Sequence, residues 1–189
     1  MTEIVARTAR LRLREWTRDD ASPFYQVMNT PAVMRHLGGV QTAEQWEAAV
    51  DRLFGYQQQL GHTFWIAERE ADDALLGFCG LKRVNAPGAS MPGAMEVGWR
   101  LREDAWGQGF AREAASAALD LAFDRFGSDE VVALTVAANT ASWGLMKRLA
   151  MRPRPDLSYI DTRFPSPSDL NPTLVYSITA AEWAAVRLA

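Results

Sequence analysis

Apolar and charged residues alternate at Leu11-Arg-Leu-Arg-Glu-Trp16, the mark of a strand with one buried face, and Thr17-Arg-Asp-Asp20 then offers helix-capping residue types. The chain is therefore expected to open with a strand and then a helix. Pro31 can sit in the first turn of a short helical stretch. Thr42-Ala-Glu-Gln-Trp46 sets a threonine ahead of an acidic and an amide residue, a start for a long helix that runs to about Leu60 and stops at Gly61. Three strand-like runs follow, His62-Thr-Phe-Trp-Ile-Ala67, Leu75-Leu-Gly-Phe-Cys-Gly-Leu81 and Met95-Glu-Val-Gly-Trp-Arg-Leu101, separated by turn residues at Asp72-Asp73 and from Asn85 to Gly93. They predict an antiparallel meander.

Beyond the meander, Ala111, Ala114, Ala115, Ala118, Leu119, Ala122 and Phe126 recur at three- and four-residue steps. That is a helix with one narrow buried face of mostly small side chains, able to lie close against a sheet. Val131-Val-Ala-Leu-Thr-Val136 predicts a strand, and residues 141 to about 150 a helix. Further strands are expected near Tyr159 and over 174–178, and Ala180-Ala-Glu-Trp-Ala-Ala-Val-Arg187 predicts a closing helix. Pro153, Pro155, Pro165, Pro167 and Pro172 crowd the segment between the helix that ends near 150 and the last strand and mark it as an exposed loop, a candidate substrate-facing element. No repeat or linker interrupts this order. The expectation is one α/β domain over residues 1–189, its mixed, mostly antiparallel sheet of about seven strands flanked by helices.

Composition narrows the function classes. A chain of 189 residues can bury roughly 70% of its unfolded surface in one core. With 48% hydrophobic and 23% charged residues, no 18-residue apolar run and no basic-then-apolar leader, a cytoplasmic protein with no membrane partner is expected. Cys79 is the sole cysteine, so no intramolecular disulfide can form, and with only His36 and His62 beside it no metal-ligand cluster is expected. Cys79, in a Phe-Cys-Gly run, reads as a small core residue, and His36 as a histidine without a catalytic part. A net charge of −3 argues against nucleic acid as a partner.

The most informative stretch is Trp106-Gly-Gln-Gly-Phe-Ala-Arg112 at the start of the alanine-rich helix. Gly107 and Gly109 permit backbone conformations barred to other residues and let a ligand approach, while Gln108 to Arg112 bring unpaired N–H groups to a helix start, an arrangement suited to a phosphate. Neither common nucleotide loop fits. A Walker loop needs Gly-Lys-Ser/Thr, and a dinucleotide fingerprint needs a third glycine where Arg112 stands. Arg100, Arg102, Arg112, Lys147, Arg148 and Arg152 are interleaved with Glu103, Asp104, Glu113 and Asp120, so backbone amides are the better account of anion binding than a basic patch.

The stretch resembles the pyrophosphate loop of the GNAT superfamily of N-acetyltransferases, Gln/Arg-x-x-Gly-x-Gly/Ala, here Trp106-Gly-Gln-Gly109-Phe-Ala111. Trp106 in the Gln/Arg place resembles the branch of ribosomal-protein N-terminal acetyltransferases, the RimJ/RimL-like proteins. Thr8-Ala-Arg-Leu-Arg-Leu-Arg14 is similar to the family's opening strand, Pro31-Ala-Val-Met-Arg35 to its usual helix and Met95 to Leu101 to its fourth strand. Val136-Ala-Ala-Asn139-Thr-Ala-Ser142 is similar to its fifth strand and the turn after it, and Leu149-Ala-Met-Arg152 stands where Leu-Gly-Phe/Met is usual, with Ala150 in the glycine's place.

The resemblance implies a V-shaped split between the fourth and fifth strands, acetyl-CoA as donor substrate without a metal, and direct attack of an amine on the thioester. The acceptor it implies is a protein N-terminal α-amine or a small-molecule amine, and relatives often dimerise, which makes a homodimer one expectation. Backbone N–H groups of Gln108, Gly109, Phe110, Ala111 and Arg112 would hold the pyrophosphate, backbone at Trp99 and Leu101 the pantetheine, and Asn139 would reach the pantetheine arm. Asn139 is equally suited to cap the following helix. An α-amine is roughly 10 to 20% neutral at pH 7 and a lysine amine about 0.04%, so a base matters more for lysine. Glu96 is the candidate base, acting through water, since alternation puts it opposite Val97; a carboxylate bonded across the sheet is the plainer reading. Ser142 and Tyr159 are candidates to protonate the leaving thiolate, and Ser142 could instead be a helix-start residue. A module that binds acyl-CoA without efficient transfer is the alternative function, and a nucleotide binder a third.

Overall fold

A computed structural model of the protein describes residues 2–164 and 167–188; Pro165, one of the crowded prolines, lies outside them. The described residues group into two compact units, one made of the chain up to Lys82 with Gly98–Ala118, the other of Arg83–Val97 with the chain from Leu119 onward.

In the first unit, β1 (Ile4–Arg7) pairs antiparallel with β2 (Leu11–Arg14). The alternation in β2 has the expected effect: Leu11 and Leu13 are fully buried, while Arg14 reaches Asp20 at 2.6 Å and Glu68 at 2.6 Å and Arg12 reaches Glu68 at 3.0 Å. Three helices follow, α1 (Ala21–Met28), α2 (Pro31–Met34) and α3 (Ala43–Leu60). Thr42 and Gln45 form the capping box that starts α3, and Gly61, with φ 69°, ends it. Then β3 (Phe64–Arg69) pairs antiparallel with β2 and with β4 (Leu75–Arg83). The core is aromatic. Phe24 lies 4.7 Å from Trp16, 5.4 Å from Trp46 and 5.7 Å from Phe78 between ring centroids, and Phe64 stacks on Phe78 at 5.0 Å. Such contacts add to the burial of large apolar rings. Trp16, Trp46, Trp65 and Trp183 are buried, as core residues should be. Cys79 is buried too, and burial holds its thiol up in its protonated form, the state of an inert core cysteine.

Strand β5 (Met95–Leu101) contributes its first three residues to the second unit and its last four to the first. Helix α4 (Phe110–Asp120) likewise runs from the first unit into the second, where it continues as a π-helical turn over Leu121–Arg125. The second unit goes on through β6 (Glu130–Val136), α5 (Thr140–Arg148), β7 (Arg152–Pro153), β8 (Thr173–Thr179) and α6 (Ala180–Leu188). β6 and β8 pair antiparallel along their whole length, from Glu130–Thr179 to Val136–Thr173, and β7 pairs antiparallel with β8. β5 and β6 run parallel, with Met95 opposite Val131 and Glu96 opposite Val132.

Hydrogen-bonded neighbours follow the order β1-β2-β3-β4-β5-β6-β8-β7, a mixed sheet of eight strands with helices around it. The expected number was about seven. β1 escapes sequence reading because its four residues show no alternation and its ends are exposed, and β7 because it is a two-residue piece containing a proline. The run expected near Tyr159 reduces to a single bridge between Tyr159 and Thr173.

At the end of α5, Met151 N–H donates to Met146 C=O at 2.9 Å and Ala150 N–H to Lys147 C=O at 3.0 Å, the two bonds of a Schellman motif. Ala150 therefore carries the left-handed residue of that motif, at φ 60°. This is the position where glycine is usual in the similar family, and alanine is held there against its own preference.

Candidate functional site

In the first unit the site is the entry to α4. Gly107 and Gly109 take φ of 72° and 83°, so both glycines are required by the backbone. The first intrahelical bond of α4 runs from Glu113 N–H to Gly109 C=O at 3.1 Å. The N–H groups of Phe110, Ala111 and Arg112 precede it, and among the described residues no side chain caps them, Gly109 having none to offer. A Cβ on Gly107 would meet nothing within 4 Å, and one on Gly109 only Arg10 Nη2 at 3.4 Å. Open donors at the positive end of a helix dipole, with unobstructed approach, fit a pyrophosphate.

The loop is held from outside by Arg10, which the sequence reading did not single out. Its Nη1 donates to Gln108 C=O at 3.1 Å, its Nη2 lies 2.7 Å from Glu113 Oε2, and its guanidinium lies 4.4 Å from the Phe110 ring centroid. Glu113 also accepts from Thr8 Oγ1 at 2.5 Å and Arg10 N–H at 2.8 Å. Partial burial alone would raise the Glu113 carboxyl, but these donors and the Arg10 charge bring it below the ordinary carboxylate range. The one acidic side chain in the first turn of α4 is thereby neutralised beside the open donors. Gln108 is exposed and donates through Nε2 to Asp104 C=O at 2.5 Å; Phe110 is buried, Ala111 half-buried, Arg112 exposed. Trp106 Nε1–H donates to Leu101 C=O at 2.7 Å, so that carbonyl is already engaged; Leu101 is buried and Trp99 half-buried.

In the second unit Glu96 is buried, with 7% of its surface exposed, at the Glu96–Val132 rung. Tyr159 is also buried, and its phenol is pushed up to about 12, first by burial and then by the charge of Glu96. A phenol held up in this way keeps its proton at neutral pH. Asp161 and Arg163, 2.5 Å apart, also act on it electrostatically. Asn139 caps α5: its Oδ1 accepts from Ser142 N–H at 3.2 Å, and its C=O accepts from the same N–H at 3.1 Å. Ser142 is half-buried in the first turn of α5, and its hydroxyl makes no hydrogen bond among the described residues. The capping reading of Asn139 is thus realised, whereas Ser142 stands in the first turn of α5 and its hydroxyl caps nothing among the described residues.

Three of the six basic residues near the loop are engaged elsewhere. Arg102 pairs with Asp104 at 2.6 Å, Arg152 with Glu182 at 2.8 Å, and Lys147 sits 4.5 Å over the Trp143 ring. His36 is half-buried, and burial and then the Arg35 charge hold it below its ordinary value.

The acetyltransferase (GNAT) domain family matches residues 10–152. The chain belongs to the GNAT acetyltransferase family. A Bacillus subtilis (strain 168) protein, YkkB, is 31% identical over 150 residues, covering 79% of this chain and 85% of that one. An N-acetyltransferase of Bacillus licheniformis, p20, is 27% identical over 150 residues, covering 77% and 80%. Among solved structures, RimL, a ribosomal L7/L12 alpha-N-protein acetyltransferase, superposes with a TM-score of 0.74 at 16% identity over 95% of each chain, a likeness of fold. Use of acetyl-CoA is general to this fold, and the donor-lined entry to α4 in this GNAT chain has the chemistry that its pyrophosphate needs.

Proposed function

We propose that this single-domain GNAT protein transfers the acetyl group of acetyl-CoA to a primary amine, a protein N-terminal α-amine or a small-molecule amine, by direct attack within a ternary complex. The observation that carries this reading is the uncapped start of α4, with Gly107 and Gly109 both at positive φ and Glu113 neutralised by Arg10. The N–H groups of Gln108 to Arg112 hold the pyrophosphate, and backbone at Trp99 together with Asn139 Nδ2, which capping leaves unused, meets the pantetheine arm. Of the two polar ends of Asn139, only the oxygen is spent on α5.

In the transfer, the amine nitrogen forms a bond to the thioester carbonyl carbon and the carbon–sulfur bond breaks. The amine proton passes through water to Glu96, and the proton taken up by the leaving thiolate comes from solvent, relayed by the hydroxyl of Ser142 or Tyr159. Burial opposite Val132 fixes the place of the Glu96 carboxylate for this work. Thermal unfolding with acetyl-CoA, CoA, NAD and ATP tests the binding step. A ligand at 100 times its dissociation constant adds about 2.7 kcal/mol of stability, and a shift with the CoA compounds alone is expected. Equal shifts with NAD or ATP, or none with CoA, would overturn the assignment. Thiol release from acetyl-CoA with an amine panel then tests transfer. Glu96→Gln should lower kcat by about 100-fold or more; an unchanged kcat would remove Glu96 from the mechanism.

A further inference from the structure

Five arginines of the first unit are half-buried: Arg12, Arg14, Arg69, Arg100 and Arg102. Four have carboxylate partners within the unit, Arg12 with Glu68 and Asp73, Arg14 with Asp20 and Glu68, Arg69 with Asp72, and Arg102 with Asp104. Arg100 is the exception among the described residues. Its Nη1 reaches Met34 Sδ of α2 at 3.5 Å, and its guanidinium lies 5.0 Å from the Phe78 ring centroid on β4. A thioether is a weak acceptor and an aromatic face carries no net charge, so most of the five guanidinium donors find no strong acceptor. Burial, with no charge to oppose it, lowers this group to about 10. An uncompensated, desolvated cation is costly to a fold, and an anion delivered to it removes that cost.

Strand alternation places Gly98 and Arg100 on one face of β5. At Gly98 a Cβ would lie 2.7 Å from the Phe64 ring, so the aromatic wall of β3 and β4 comes right up to that face. The guanidinium is thus a planar fork of donors set between a thioether and the Phe78 ring, which stacks on Phe64. A single carboxylate on an apolar stem matches this: one negative charge cancels one positive charge in bidentate geometry, whereas a doubly charged phosphate would leave a net charge in apolar surroundings. The phosphates of the donor have a separate receptor, the α4 start, whose contacts are with Arg10 and Asp104, while Arg100 contacts α2 and β4.

We infer that Arg100 is the specificity-determining residue for the acceptor, and that the amines this chain takes carry a carboxylate on an apolar body, recognised at the Arg100 guanidinium between Met34 and Phe78. The inference rests on the acetyl-transfer reading for what is done to the amine, but not for the binding of the carboxylate. The test uses a panel of amino acids and dipeptides, each paired with its own C-terminal amide, read by calorimetry for binding and by thiol release for turnover. Wild-type protein should prefer the acids by at least about tenfold in both, and in Arg100→Met that acid-to-amide ratio should fall to about one while Arg100→Lys retains part of it. Without ligand, Arg100→Met should unfold at a higher temperature than wild type, the opposite of what loss of an ion pair would do. Acid-selective binding that depends on Arg100 without any turnover would sink the transfer reading alone. Wild-type binding of neither member, indifference to the carboxylate, or an acid preference that survives Arg100→Met would overturn this inference whatever the turnover.

Discussion

Two helices of this protein begin in opposite ways. α5 starts at Asn139, whose side chain and backbone oxygens both accept from Ser142 N–H, so the helix supplies its own cap. α4 starts at Gly109, which has no side chain to cap with, and the N–H groups of its first turn stay open. Every helix has such donors, and in a structural helix they are consumed locally. At α4 two positive-φ glycines stand before the first turn instead, and Arg10, from the turn between β1 and β2, pairs with the nearby acid, an arrangement that supports the proposal that these donors serve a ligand. The contrast separates a helix end capped by its own residues from one proposed to serve binding, and neither could exchange roles without a visible change in sequence.

The contrast breaks most severely at Gly109. In Gly109→Val a β-branched residue would have to adopt φ 83° with its Cβ beside Arg10, at a strain of about 1–3 kcal/mol, and the loop would refold away from its donor geometry. Acetyl-CoA affinity by calorimetry should fall by about 100-fold or more, equivalent to about 2.7 kcal/mol; affinity within threefold of wild type would mean that the α4 start is not the anion receptor. Arg10→Gln probes the neutralising charge. It leaves the Glu113 carboxylate beside the open donors, and acetyl-CoA should bind about tenfold more weakly, with partial recovery in Arg10→Gln/Glu113→Gln. The same pair sets a pH signature. Glu113 is held below its ordinary value in the folded chain, so its stabilising contribution is fully present above about pH 4.3 and is lost as pH falls through the lower folded value. Arg10→Gln should flatten that acid limb in thermal unfolding; an unaltered limb would deny the coupling.

At the capped helix the expected effects are on stability. Asn139→Ala should cost about 0.5–2 kcal/mol in denaturant unfolding without ligand, and Asn139→Ser much less, since serine caps nearly as well. A loss of acetyl-CoA affinity shared by both variants would show that Nδ2 also serves the pantetheine arm. The smallest effect is at the other end of α5. Ala150→Gly relieves a left-handed alanine and should stabilise by about 0.5–1 kcal/mol, or about 1–4 °C for a chain of this size. A destabilised variant would mean that the added freedom of the unfolded chain outweighs the strain.

The open helix start was legible because it is local: Gly107 and Gly109 stand two residues apart, directly before the alanine periodicity, and their positive φ follows from the same few residues. The cap at Asn139, the capping box at Thr42 and Gln45 and the stop at Gly61 were legible for the same reason. Arg10 was not, since its partner Glu113 lies 103 residues away and nothing near Arg10 announces that partner. Arg100 was visible as one of six basic residues near the loop, but its neighbours in sequence are not its neighbours in space. Tyr159 looked like part of a strand and proved to be one rung opposite Thr173, and only the structure shows that it is buried near the Glu96 charge.

By itself the sequence determined the order of helices and strands, the glycine turn that opens α4 and the family to which that turn points. These depend on side-chain period and on φ preferences, which act within a turn or two of chain. Only the tertiary structure decided which charges are compensated: it gave Arg10 to Glu113 and Arg14 to Asp20 and Glu68, and it left Arg100 among sulfur and aromatic carbon. Electrostatic pairing acts over a few ångströms regardless of separation along the chain, so it is set by how strands and helices pack and cannot be read from residue spacing.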